Sequence, residues 1–271
     1  MYDGQSVSFQ SLQALRDIGP HSSRNASKGA LIQETFILFK ELDKINIQEL
    51  RDNVFIDNCL HKKSFQTRRR IWNDLYYRYL YIAPEWVGLS IAATTAKGIT
   101  SPEYISLTYL YYSLRDRLTF DFITSVIWDK WQTQVTSVNR EDVLLFLEAQ
   151  SSASQQITQW HESTRKKLSS NMLSALRDFG ILRGIQKKYI QRPPVAPETV
   201  YHLLCVLKAE GKEGIAIIDA PDWRLFLWNE SDISNALADL AQRKWIRFEK
   251  SGRTTMLELV RLPEVSYERG S

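Results

Sequence analysis

The chain has 271 residues, 44% of them apolar, with a formal charge of +4. That balance excludes a disordered polymer and leaves room for two or three small domains or one domain with an appendage. Two distant cysteines, Cys59 and Cys205, exclude a disulfide framework and read as small buried hydrophobes. No run approaches the roughly 18 apolar residues of a membrane span, and residues 1–30 lack a signal-peptide pattern, so a soluble cytoplasmic protein is expected.

Residues 1–27 are rich in Ser, Gln and Gly and read as a flexible N-terminus. Helices are predicted over Leu31–Leu42, Ile47–Cys59 and Phe65–Ile82, with His61–Ser64 as a turn and Pro84 as a stop. In the third of these, Ile71, Leu75 and Tyr79 face inward, which leaves Arg69, Arg70, Asn73, Tyr77 and Arg78 outward. Three aromatic-rich helices follow, Trp86–Lys97, Pro102–Arg117 and Phe120–Val135. Their helical spacing favours a core or a partner-helix surface over a base-stacking platform.

Asn139–Ala149 reads as a helix with Glu141 and Asp142 in its first turn. Thr164–Phe179 carries Leu168, Met172, Leu173, Leu176 and Phe179 at helical spacing, with Gly180 as its stop. Ile181–Ile190 reads as an extended piece or hairpin, and Pro193, Pro194 and Pro197 as a linker or domain edge. Beyond them lie a helix over Glu198–Glu210, a strand over Ile215–Ile218, and a helix over Ser231–Arg243. Two strands, Trp245–Lys250 and Thr254–Val260, flank Ser251–Gly252. That order is the order of a winged helix. The expected division is 1–27, a helix-turn-helix-like region over 28–84, a central helical region over 85–192, and a winged-helix-like module over 193–271.

Three cationic clusters accompany these helices. The first is Lys62, Lys63, Arg68, Arg69 and Arg70, in a segment where Asp74 is the one acid against six bases. It reads either as a phosphate-contacting face or as a solvated helix face with Asp74 pairs to Arg70 and Arg78. The second is Arg165, Lys166 and Lys167, continued by Lys187, Lys188 and Arg192. With Ser163 or Thr164 as N-cap, its cations crowd the positive end of a helix dipole, which a bound anion would relieve. The third is Arg243, Lys244, Arg247, Lys250 and Arg253, beside a helix whose outward side holds Ser234, Asn235, Asp239 and Gln242. Amide and hydroxyl side chains there suit base edges, and Lys250 and Arg253 at the hairpin tip suit backbone. Protein docking is the competing use of such a module.

Catalytic patterns are missing. His21, His61, His161 and His202 are scattered, no nucleotide-binding glycine motif or nucleophile elbow occurs, and Asp219 and Asp222 around Pro221 read as a loop. No enzyme, cofactor or metal is called for.

Three stretches resemble one family. They are Ser27-Lys28-Gly29-Ala30-Leu31-Ile32-Gln33-Glu34-Thr35; Asn58-Cys59-Leu60 through Lys63 with Thr67-Arg68-Arg69-Arg70-Ile71 and its helix to Leu80; and Trp160-His161-Glu162-Ser163-Thr164-Arg165-Lys166-Lys167-Leu168 through Gly180-Ile181-Leu182 to Pro193-Pro194. In order and spacing, over roughly residues 25–205, they resemble BrxA, an accessory protein of BREX bacteriophage-exclusion systems. The resemblance implies a mainly α, NusB-like helical bundle with helix-turn-helix elements that binds double-stranded DNA beside other BREX proteins. It implies no catalytic residues. The expected function is therefore non-enzymatic binding of duplex DNA. An adaptor bridging defence subunits and an RNA-binding protein are the alternatives.

Overall fold

The computed structural model describes residues 15–42, 44–81, 86–152, 154–251 and 254–260. The chain is mainly α-helical. In order, the helices are α1 (Ile32–Leu42), α2 (Ile47–Phe55), α3 (Phe65–Leu75), α4 (Trp86–Thr94), α5 (Pro102–Leu114), α6 (Arg117–Phe122) and α7 (Trp128–Gln132). A short strand β1 (Ser137–Val138) precedes α8 (Arg140–Ser151), α9 (Gln155–Thr158) and α10 (Glu162–Asp178). The strands β2 (Leu182–Arg183) and β3 (Lys188–Ile190) join β1 in an antiparallel sheet of order β1-β3-β2. Then come α11 (Pro197–Ala209), α12 (Ile215–Ile218), α13 (Glu230–Gln242) and the hairpin β4 (Ile246–Ser251) and β5 (Thr254–Leu259).

Helix α5 is the hub. It starts with the Ser101 cap and Pro102 in its first turn, and its apolar and aromatic residues run all the way round. Tyr104, Tyr109, Tyr111 and Tyr112 are fully buried. A buried tyrosine hydroxyl needs an acceptor, and three of these tie α5 to three separate parts of the chain. Tyr104 donates to the Ile32 carbonyl at 2.8 Å, Tyr109 to the Leu225 carbonyl at 2.8 Å, and Tyr111 meets His202 Nδ1 at 2.8 Å. The tyrosines and Phe122 of the aromatic middle are core, and Phe120, Trp128 and Trp131 pack half-buried against it.

The proline-rich stretch before α11 is no loose tether. The Ala196 amide donates to Ser106 Oγ at 3.1 Å, and Ser106 meets Thr199 Oγ1 at 2.7 Å. One hydrophobic cluster runs from Leu38 and Tyr79 through α5 to Leu203, Leu237 and Leu257.

Residues 15–27, expected to be flexible, lie packed against that core. Leu15 is fully buried, and the Asp17 amide donates to the Leu114 carbonyl. Arg16 pairs with Glu210 at 2.6 Å and with buried Asp222. Asn25 donates to Asp116 Oδ2 at 2.6 Å and accepts from Arg78 at 2.6 Å. Polar composition hid this strap because its anchors are hydrogen bonds rather than an apolar period.

Three further departures concern one side chain and the form of three segments. Arg78, expected outward, is buried, donating to the Gly29 and Ala30 carbonyls with its guanidinium 4.8 Å from the Tyr112 ring centre. It lies three residues after Leu75, so it shares the inward face, and those carbonyls supply the acceptors a buried cation requires. Helix α3 passes into a π turn over Tyr76–Leu80, and a second π turn over Ile123–Ile127 divides the stretch predicted as one helix. Ile215–Ile218, predicted as a strand, is helical: the amides of Ala216, Ile217 and Asp219 return to the Glu213, Gly214 and Ile215 carbonyls, and no neighbouring strand is needed to satisfy them. Gly180 stops α10 at φ 84° as expected, with the Ile181 amide returning to the Leu176 carbonyl. Pro84, Gly252 and Arg253 fall outside the described residues.

Candidate nucleic-acid interface

Two helices carry the same run at the same register. Helix α3 has Thr67-Arg68-Arg69-Arg70 at its third to sixth positions, and α10 has Thr164-Arg165-Lys166-Lys167 at its third to sixth. This register corrects the expected start of α10. The N-cap is His161, so the helix opens with Glu162, and the three cations begin at the fourth position. Glu162 complements the dipole and pairs with Lys166 at 2.5 Å, so no electrostatic anomaly exists at this N-terminus. Helix α3 is capped by Ser64, whose Oγ accepts from the Thr67 amide at 3.1 Å.

The residue at the fourth position of each helix turns backward. Arg68 donates to the Lys62 carbonyl at 3.2 Å and reaches the Phe55 carbonyl, at the end of α2, at 3.5 Å. Arg165 donates to the Ile157 carbonyl, in α9, at 2.8 Å. Arg68 thereby satisfies a carbonyl that the end of α2 leaves open, whereas Arg165 adds a second donor to the Ile157 carbonyl, which already accepts from the Trp160 amide at 3.2 Å. The fifth residues, Arg69 and Lys166, are exposed.

The sixth residues converge. Arg70 and Lys167 line one cleft of about 630 Å³, together with Arg24, Asp74, Thr164 and Asn171. Neither Arg70 nor Lys167 has an ion-pair partner among the described residues. The Arg24 guanidinium lies 3.2 Å from the centre of the Tyr77 ring, whose hydroxyl donates to Asp17 at 2.7 Å. That stack fixes a charge at the cleft rim without neutralising it. Asp74 also lines the cleft, at 6% exposure. Burial pushes its carboxyl up, against the pull of Arg78, Arg24, Arg70 and Lys28.

Across α10 lies a second cleft of about 470 Å³, lined by Arg140, Glu141, Ser170, Ser174 and Lys188 among others. Thr164, Lys167 and Asn171 face one cleft, and Ser170, Leu173 and Ser174 the other, so α10 is the ridge between them. Lys188 Nζ donates to the Ile185 carbonyl at 3.0 Å, and Lys187 beside it is exposed. Lys62 pairs with Glu34 at 2.8 Å, while Lys63 is exposed.

The C-terminal cations are differently placed. Lys250 pairs with Glu230 at 2.5 Å, Arg243 with Asp239 at 2.7 Å, Arg247 with Glu258 at 3.5 Å, and Arg192 with Asp232 at 2.7 Å. Asn235 is exposed on α13 and Ser234 half-buried. The predicted residues thus fall into two separate regions. The sequence reasoning missed Arg24, Arg140, Asn171 and the role of Asp74. The duplicated Thr-Arg-basic-basic run was the readable signal for the shared cleft, and Arg24 and Arg140 carried none.

The family model of BrxA matches residues 20–205. The chain belongs to the BrxA family. It is accordingly associated with BREX phage defence. The matched BrxA span holds α1 to α10 and both clefts, and it ends within α11. The crystal structure of an uncharacterized protein from Magnetospirillum magneticum has a similar fold, with a TM-score of 0.59 at 14% identity over 78% of this chain and 100% of that one. No curated protein matches the chain. Among the described residues, no helix is long and apolar enough to cross a membrane.

Proposed function

We propose that this BrxA-family protein binds double-stranded DNA through its phosphate backbone, as a non-enzymatic component acting beside other BREX proteins. One observation carries the reading: Arg24, Arg70 and Lys167, from three separate segments, line a single cleft beside α10. Cations gathered without partners are stabilised by replacing the counterions of a polyanion. Arg140 extends the positive track across the ridge, with Arg69, Lys63 and Lys187 at its margins. Arg68, Arg165, Lys62, Lys166 and Lys188 are assigned a supporting role, since each is engaged within the protein. The three helices α11 to α13 and the β4–β5 hairpin are read as a winged-helix module. There Ser234, Asn235, Lys250 and Arg253 make secondary contacts.

Fluorescence anisotropy with a random-sequence 30-base-pair duplex tests the reading. Affinity should fall linearly with the logarithm of salt concentration, at similar values for unrelated sequences. No binding at about 50 mM salt, where such contacts are strong, overturns it. Competition by structured RNA as effective as by duplex DNA overturns the preference for DNA.

A further inference from the structure

Asp74 is the residue that a plain phosphate track does not explain. It is 6% exposed and lines the same cleft as Arg24, Arg70 and Lys167. Its Oδ2 is enclosed and, among the described residues, has no hydrogen-bond partner, so a ligand in the cleft can reach this carboxyl at Oδ1 alone. The nearby guanidiniums do not satisfy it. Arg78 directs its donors to Gly29, Ala30 and Asn25, while Arg24 and Arg70 act on Asp74 through charge alone. An ionised carboxylate accepts hydrogen bonds and repels an anion that brings no hydrogen. A ligand that matches the whole cleft therefore carries negative charge for three cations and one donor for one oxygen.

From this juxtaposition we infer that the cleft prefers a phosphate group that keeps a proton, as a phosphomonoester does, with its P–OH on Asp74 Oδ1 and its other oxygens toward Arg24, Arg70 and Lys167. One donor is what the single reachable oxygen can use. A phosphomonoester supplies it because its second ionisation lies at about pH 6, so near neutrality part of it still holds a proton. A phosphodiester and a sulfate hold none in that range, and they meet Asp74 with repulsion. Burial pushes the Asp74 carboxyl up, so a proton between it and a phosphate oxygen is shared rather than surrendered to solvent. Thr164, on the α10 wall, adds a hydroxyl that can donate to a phosphate oxygen or accept from one. The inference rests on reading Arg24, Arg70 and Lys167 as phosphate contacts, and it narrows that reading. Internal backbone phosphates reach the same cations, but a terminal phosphate gains a hydrogen bond where they incur a repulsion. The source of the group is either the end of a DNA strand or free phosphate.

Calorimetric titration of the full chain with inorganic phosphate and with sulfate, at about pH 6.5 where phosphate keeps a proton, tests it. The two anions share a shape and sulfate carries the greater charge, so charge alone predicts that sulfate binds at least as tightly. The expected result is phosphate tighter by about tenfold or more, the worth of one hydrogen bond to a charged group. Asp74→Asn should bring that ratio below about threefold, because the amide donates to both anions. A short blunt duplex bearing a terminal phosphate, compared with one bearing a terminal methyl phosphate, identifies the source. Tighter binding of the phosphate end makes a strand terminus the ligand; equal binding of the two ends, with phosphate still preferred over sulfate, makes it free phosphate. Sulfate bound as tightly as phosphate, or neither bound, overturns the inference, as does a phosphate preference that survives Asp74→Asn. The pair of anions is compared on the unaltered chain, so it decides even if Asp74→Asn misfolds. Failure of the backbone reading has its own signature: phosphate is preferred over sulfate while no duplex binds at low salt.

Discussion

The α3–α10 cleft and the C-terminal hairpin module are both rich in Lys and Arg, but they handle charge in opposite ways. In the cleft, Arg70 and Lys167 stand without ion-pair partners among the described residues, and Arg24 is held by an aromatic ring. In the C-terminal module, Lys250, Arg243 and Arg247 each meet a carboxylate supplied by α13 or by β5. A count of basic residues treats the two regions alike. Potential depends on what is left after pairing, so the cleft is the stronger place for a polyanion.

The most direct way to break this comparison is to invert the cleft. Arg70→Glu with Lys167→Glu should lower duplex affinity by about 100-fold or more at low salt and reduce the salt slope by about 2. Both side chains are exposed, so the melting temperature should stay near that of the wild type. Undiminished anisotropy titrations would move the interface elsewhere.

Within the cleft region, the helical register sharpens the comparison. Arg68 and Arg165 lie within two residues of the sixth-position cations, yet their donors serve carbonyls at the ends of α2 and α9. Arg68→Ala should cost about 1–3 kcal/mol of stability by leaving the Phe55 and Lys62 carbonyls open, and Arg165→Ala should cost less, because the Ile157 carbonyl keeps the Trp160 amide. Urea denaturation checks this, and duplex affinity of the folded fraction should change far less than in the sixth-position variant.

A third measurement asks whether the two regions are thermodynamically joined. His202 of α11 is buried between Tyr111 of α5 and the Trp86 ring of α4, and burial pushes its imidazole down to about 3. The folded pKa lies below the ordinary value of 6.5, so the native state binds fewer protons than the unfolded state. Its contribution to stability is complete above pH 6.5 and is lost as pH falls from there toward 3. The loss approaches about 1.4 kcal/mol per pH unit below pH 6. The buried carboxyls of Asp74 and Asp116 are shifted up, and they oppose this trend only near and above the ordinary carboxylate range. Proton NMR should show a His202 signal that does not titrate between pH 8 and 5. A titrating signal would mean that α11 separates from α5 and that the two regions fold independently.

Much of the helical body was legible because its signals are local. Asn46 and Asn139 form capping boxes, Gly180 ends α10 with positive φ, and the aromatic spacing of α5 marks core. The exceptions were set by distant partners. Arg78 is buried because carbonyls 48 and 49 residues away accept from it, and the strap of residues 15–27 is anchored by Leu114, Asp116 and Glu210. At the site, the sequence exposed the basic runs but not their division of labour. A shift of two residues in the start of α10 moved its three cations from the opening positions to the fourth to sixth, and such boundaries are the least determined feature of a helical pattern. Pairing in the C-terminal module was equally hidden, since Lys250 and Glu230 meet only after the hairpin folds over α13.

The smallest expected effect belongs to that module. Lys250→Glu with Asn235→Ala should weaken duplex binding by less than about tenfold, because Glu230 already neutralises Lys250 and an exposed pair of this kind contributes little. The informative partner is Glu230→Gln, which frees Lys250 without touching a cation. If the hairpin approaches DNA as a secondary contact, this variant should raise affinity about two- to fivefold and steepen the salt dependence. A loss on Lys250→Glu as large as the cleft inversion, with no gain from Glu230→Gln, would place the principal contact in the hairpin. It would also mean that Glu230 releases Lys250 on binding, so that the ion pair seen here belongs to the unbound state alone.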